Sequence, residues 1–310
     1  MTSLQERLDS GEIVILDGAT GTELERRGVP MDQVAWSAAA NATHPVTVRE
    51  VHEDYIRAGA DVIITNTFAS QRHVLDLAGM GDQVRELNLR AVQVAQQARE
   101  NASDERPVSI AGSISTFYAG LERENAPPST QARANYLEQA ELLAEGGVDL
   151  IALEMMQDTE QGAYAVEAAM TTGLPVWIGL SCKLSEDESS LQLTRGQPLE
   201  DALDVLMPLG GSAVTVMHTL TEHTVRVLRA VMAHWSGPVG AYPHSGRFVM
   251  PNWQFHDIIS PEDYLIEAQK WVDMGVQIVG GCCGIGPNHI RLLRERLPTR
   301  VTSRRSQEET

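Results

Sequence analysis

Eight short apolar runs recur along the chain, each followed by a segment of helical character, and no other feature of the sequence restricts the fold as much. The runs are IVIL before Asp17, DVIIT ending at Thr65, VSIAG reaching Gly112, DLIAL before Glu154, VWIGL before Ser181, AVTVM before His218, VGAY before Pro243 and QIVG before Gly281. A strand with one wet face alternates polar and apolar residues, whereas these runs are almost continuously apolar. They therefore suit strands buried on both faces. Between them, helices are predicted over Pro45–Ala58, Asp82–Arg99, Thr130–Ala144, Thr221–His234 and Pro261–Met274, several opening on Ser, Thr, Asp or Pro. Repeated GxD or AGAD endings, at Ala58 to Asp61 and Gly146 to Asp149, fit helix termination ahead of a new strand.

Eight βα units without a break in composition favour a closed α/β barrel, a single (β/α)8 TIM barrel, over an open doubly wound sheet. The chain length of 310 residues accommodates one such barrel. No GxGxxG fingerprint follows any strand, and Gly18 and Gly21 in DGATGT have the wrong spacing for dinucleotide binding. The barrel is expected over residues 1–298, with 299–310 a loose, polar C-terminal tail.

A formal charge of -18 sets a field that repels a phosphate backbone or an anionic membrane, so neither nucleic acid nor a membrane is an expected partner. The charged beginning MTSLQERLDSGEIVILDG and the lack of any run of spanning length point to a cytoplasmic protein. Three cysteines, two of them adjacent, cannot build a disulfide framework, and intracellular cysteines at a turn bind metal or do chemistry.

In a barrel, the residues that follow the strands converge on one rim. That rim would gather Asp17, Asn66, Ser113, Glu154, Cys182, His218, His244 and the pair Cys282 and Cys283. The pair sits in VGGCCGIGPNHI, where glycines on both sides allow the bend that two neighbouring thiolates need to reach one ion. Zinc accepts thiolate and imidazole ligands, and a catalytic zinc keeps one of four positions open, so two cysteines need a third protein ligand. The competing reading is two buried cysteines in a glycine-rich turn. After strand seven, Trp253 and Phe255 either form one side of a binding pocket, where aromatic faces can meet a ligand, or simply cap the barrel.

The chain resembles the homocysteine S-methyltransferase family, the zinc barrels that include betaine and S-methylmethionine enzymes. The resemblance rests on LDGATGTELERRG at Leu16 to Gly28, TNTF at Thr65 to Phe68, LEMM at Leu153 to Met156 and GGCCG at Gly280 to Gly284. It implies zinc-dependent methyl transfer from a small onium donor, S-methylmethionine-like, to homocysteine, forming methionine, with those two small molecules as partners. It also implies that Asp17 and Glu154 hold the amino group of homocysteine, while backbone amides near Gly18 and Ala19 meet its carboxylate. Family members take the first zinc cysteine from an Asn-Cys pair at the end of strand six; here Met217 and His218 stand there. His218 is therefore expected to join Cys282 and Cys283 as metal ligand, with Cys182 in GLSCK as the alternative third ligand. The departure leaves open another thiol acceptor or donor, or a relative that binds zinc or ligand without turnover.

Overall fold

The computed structural model describes residues 3–104, 106–118, 126–249 and 254–301. The eight apolar runs form eight parallel strands, β1 (Val14–Ile15), β2 (Val62–Ile64), β3 (Ser109–Ser115), β4 (Leu150–Met156), β5 (Val176–Leu184), β6 (Ala213–Leu220), β7 (Val239–His244) and β8 (Ile278–Val279). Each pairs with its sequence neighbour from β2 round to β8, and β8 pairs with β1. The chain thus builds a nearly closed (β/α)8 TIM barrel with helices outside.

Period-two alternation explains why both strand faces are apolar. Val14, Leu16, Val62, Ile64, Leu150, Ala152, Trp177, Ala213 and Ile278 point into the barrel and form one buried cluster with Leu8. The intervening Ile15, Ile63, Ile151, Leu153, Ile178, Val214 and Val279 face the helices and form the larger cluster. Leu8 comes from the N-terminal helix Leu4–Asp9, which a Ser3 and Glu6 capping box starts.

The helix Pro45–Ala58 has the bounds read from the sequence, with Pro at its first turn and Gly59 closing it at φ 107°. Gly147 does the same for Ser129–Gly146 at φ 85°. The segment from Asp82 divides into a short 3-10 turn, Gly81–Gln83, and the helix Val84–Ala102. Thr221 likewise opens a 3-10 turn before Thr224–His234. Two hairpin features decorate the rim: Leu191–Leu193 folds back antiparallel on β5, and Arg247–Val249 pairs with Gln254–His256. Of the expected tail, Thr299 and Val301 exchange backbone hydrogen bonds with Ile13 and Gly11, and residues 302–310 lie outside the described residues. No described helix is long and apolar enough to cross a membrane.

Closure between β1 and β2 has a single backbone bridge, Leu16 to Val62. Side-chain carboxylates complete it. Asp61 Oδ2 accepts the Ile15 amide at 2.8 Å below, and Asp17 Oδ2 accepts the Ile64 amide at 2.7 Å above. Asp61 is almost wholly buried, and the guanidinium groups of Arg7, Arg106 and Arg294 surround it. Arg106 and Arg294 also donate to the carbonyls of Ile56, Gly59 and Ala60, where the preceding helix ends. A buried charge with several bonds is expensive to unpair, because its removal strands the opposite charges.

We expect Asp61→Ala to lower the unfolding free energy by about 3–5 kcal/mol in urea titrations. A loss of less than about 1 kcal/mol would show that the seam does not depend on this carboxylate.

Candidate metal centre and ligand cavity

The loop after β8 is bonded to both of its neighbours. Gly281 donates to Asp17 O, Cys282 to Pro243 O, and Cys283 O receives the Ser245 amide. Ile285 then donates back to Cys282 O, a tight turn in which Gly284 adopts φ 86°. A Cβ on Gly284 would stand 2.4 Å from Ser245 O, so close backbone approach and a left-handed conformation both require glycine there. The turn brings the thiols of Cys282 and Cys283 to 3.9 Å from one another.

His218 completes the group. It ends the regular part of β6, where the pairing with β7 shifts register between Met217 and Leu220, and its φ of 42° is left-handed. An inserted residue at a strand end re-aims a side chain. His218 Nδ1 lies 3.9 Å from Cys282 Sγ, and the donor atoms of His218, Cys282 and Cys283 all lie within 4.8 Å of one another. Tetrahedral coordination with metal–sulfur bonds of about 2.3 Å and metal–nitrogen bonds of about 2.0 Å places sulfur atoms about 3.8 Å apart and sulfur about 3.6 Å from nitrogen. The three residues fit a metal with small adjustments. The Cys282 thiol is held well above the usual thiol range by its hydrogen bond to Cys283 and by burial, so it gives up its proton only to a cation that takes its place.

Cys182 is not part of this group. It belongs to the apolar cluster between strands and helices, where burial pushes its thiol up to about 12, and it does not line the cavity. Side-chain alternation on β5 accounts for this: Ser181 is directed toward the β6 end, where its hydroxyl donates to His218 O at 3.1 Å.

A cavity of about 190 Å³ opens over the three ligands. Glu154 stands in its wall at the end of β4, beside a register shift in which Met155 takes φ 56° and donates its amide to Met217 Sδ at 3.0 Å. Burial pushes the Glu154 carboxyl up to about 7, against the lowering effect of hydrogen bonds from Ser113 and Tyr242 and of nearby His218. Ser113 thus serves Glu154 directly, through a 2.5 Å bond. Asp17 behaves differently. Its carboxylate is engaged by the Ile64 amide beneath the cavity and is raised well above the usual range, chiefly by burial. Gly18 and Ala19 line the cavity, and the Ala19 amide is donated to Ile285 O. Asn66 also reaches the wall, with its amide bonded to Ser37 and Asn41. His244 lines it as well, with its ring 4.7 Å from that of His218.

The opposite wall was not apparent from the sequence. Trp36 and Phe68 meet edge to face at 5.8 Å, and Phe68 lies 5.5 Å from Phe117. These rings come from three separate loops, and only their shared rim position unites them. The closest sequence signal is Gly21, on which a Cβ would stand 2.3 Å from the Trp36 indole. Of the two residues singled out after strand seven, Phe255 lines the cavity, whereas Trp253 lies outside the described residues.

The sequence profile of the homocysteine S-methyltransferase family matches residues 14–297. The chain is 30% identical to the homocysteine S-methyltransferase of Escherichia coli (strain K12), covering 94% of this chain and 98% of that one. It is 28% identical to the selenocysteine methyltransferase of Astragalus bisulcatus, over 91% of each. The crystal structure of the Escherichia coli homocysteine methyltransferase MmuM in its metallated form superposes with a TM-score of 0.76 at 27% identity, covering 93% of this chain and 98% of that one.

Metal analysis of purified protein should find the ion strongly depleted in Cys283→Ala and in His218→Ala and retained in Cys182→Ala. Depletion by Cys182→Ala with retention in His218→Ala would reverse the ligand assignment.

Proposed function

The chain belongs to the homocysteine S-methyltransferase family and is an S-methyltransferase, and we propose that it methylates homocysteine from a small S-methylmethionine-like onium donor, giving methionine, with zinc held by His218, Cys282 and Cys283. The observation that carries this reading is the convergence on one cavity of three soft ligands, a buried carboxyl at Glu154 and an aromatic wall. Zinc in this ligand set supplies the positive charge that lets an acceptor thiol lose its proton near neutral pH.

The protein's own groups bind and orient the two substrates. Glu154 takes the ammonium of homocysteine, held in place by Ser113 and Tyr242. The substrate carboxylate faces Gly18 and the uncapped first turn of the helix Thr20–Arg26, where backbone amides concentrate positive potential. Asp17 does not grip the ligand in this reading; it holds β2 against β1 and adds negative potential below the ammonium. Trp36, Phe68 and Phe117 face the donor cation with their ring systems and keep water from it. In the overall reaction a sulfur–carbon bond forms to the acceptor as the donor's onium–methyl bond breaks. The bonding pair leaves with the now neutral donor, and the thiol proton goes to solvent. In-line placement of the two substrates provides much of the acceleration.

The similarity to a selenocysteine methyltransferase favours a second reading, in which the acceptor is a related thiol or selenol amino acid. Relative kcat/KM for homocysteine, cysteine and selenocysteine separates the two.

Purified enzyme should form methionine from homocysteine and S-methylmethionine, lose that activity on chelation and regain it with zinc. Turnover that persists in metal-stripped protein contradicts the mechanism.

A pH effect follows from Glu154. With its carboxyl at about 7, binding an ammonium at lower pH requires loss of a proton from Glu154, and at higher pH it does not. Acceptor affinity should therefore fall about tenfold for each pH unit below about 7 on account of this group. Glu154→Gln should bind the acceptor more weakly at neutral pH and lose one unit of that slope relative to wild type. Equal slopes in both proteins would remove Glu154 from the binding site.

A further inference from the structure

His218 has a conformation that a histidine does not adopt without support. Its φ of 42° belongs to the left-handed region, which is strained for a non-glycine residue and persists only where the surroundings determine it. Two groups bind its carbonyl. The Ser181 hydroxyl donates to it at 3.1 Å, and the His244 ring donates to it as well. His244 Nδ1 is buried without a hydrogen-bond partner. The two imidazoles also pack against one another, with centroids 4.7 Å apart and planes tilted by 37°. β7 fixes His244 in turn, since Leu220 pairs with His244 across the register shift that contains His218 and Thr221 Oγ1 donates to His244 O at 3.0 Å.

We infer that His244 is the positioning residue of the metal centre, holding the His218 backbone and ring so that Nδ1 is directed at Cys282 and Cys283. The inference rests on the proposed reading of His218 as a ligand and extends it to a residue outside the ligand set. A cysteine at position 218 would carry its sulfur on a short, nearly spherical arm, with little need for orientation. An imidazole is a planar ligand that binds through a lone pair in the ring plane, so rotation about its side-chain bonds misdirects it. The packed partner ring limits ring rotation, and its hydrogen bond to the His218 backbone limits rotation of the peptide.

The test is a double-mutant cycle read by metal affinity rather than by turnover. Zinc affinity of the full-length protein is measured by competition with a chromophoric chelator, and the cobalt(II)-substituted protein supplies ligand-field bands that report coordination geometry. Loss of a residue that orients a metal ligand costs about 10–100-fold in affinity. His244→Phe, which keeps a stacking ring and lacks the donor, should weaken zinc by that factor and shift the cobalt bands, as should His244→Ala. His244→Gln, which restores an N–H donor, should recover most of the affinity, and it decides the matter against His244→Ala should the Phe variant fail to fold. In a His218→Ala background the same changes should have less than a twofold effect.

Wild-type affinity and unaltered cobalt bands in both His244→Phe and His244→Ala would overturn the inference. So would an equal loss with and without His218, which would make His244 a general support of the rim. Zinc affinity unchanged in His218→Ala alone would instead refute the ligand assignment, and the inference would fall with it.

Discussion

The site depends on a seam that backbone pairing alone does not close. β1 and β2 are short and share a single bridge, and two carboxylates take the place of missing ladder partners by accepting amides across the gap. The loop carrying the cysteine pair is then laid on the same strand, because the Gly281 amide donates to Asp17 O and the Ala19 amide to Ile285 O. Tyr55, Thr22 and Arg26 add further bonds from the helices behind it to Ile285 and Gly284. The position of the thiols therefore follows from the closure of the barrel. If the seam opened, the loop would lose the surface that defines its turn.

Two departures from regular strand geometry supply the rest of the constellation. β4 and β6 each shift register at the rim, and each shift contains or adjoins a residue with positive φ, Met155 and His218. They are linked, since the Met155 amide donates to Met217 Sδ. Between them, β5 carries Gly179, where a Cβ would stand 2.4 Å from Leu153 O and 2.9 Å from the Tyr242 hydroxyl. The barrel's interior thus lets a tyrosine reach Glu154 from beneath. Strained backbone at a rim is costly, and it persists here because buried packing and hydrogen bonds on both sides determine it.

Much of this was legible from residue order. The eight apolar runs gave the strands, and rim position brought Glu154, His218, Cys282 and Cys283 together, because a barrel turns the place after a strand into a place in space. Cys182 separated from them because period-two alternation on its strand turns it toward the helices. Asp17 was harder, because an acid on a rim reads equally as ligand holder or helix cap, and one of its carboxylate oxygens accepts the Ile64 amide. The GxD endings were read as helix stops, which Gly59 and Gly147 are. Their aspartates do more, since Asp61 accepts the Ile15 amide and Asp149 the Ile110 amide, each bonding to an adjacent strand. The aromatic wall had no local signature, because Trp36, Phe68 and Phe117 lie on three loops whose contact only tertiary folding creates.

Replacing a thiolate by an imidazole changes the charge of the proposed centre as well as its shape. A dication with two thiolates and one neutral imidazole is formally uncharged, and an acceptor thiolate makes it singly negative, where a third cysteine would make it doubly so. The smaller negative charge favours ionisation of the incoming thiol and weakens attraction for a cationic donor. Nearby acids oppose the second effect. Glu154 lies in the same wall, and Asp17 lies below it, so negative potential that a third thiolate would have supplied at the metal is present in carboxyl groups held on neighbouring strands. Because burial keeps both carboxyls above their usual range, that potential develops fully only when a cation arrives. A cavity of this kind couples the entry of its positively charged ligands to the ionisation of its own floor.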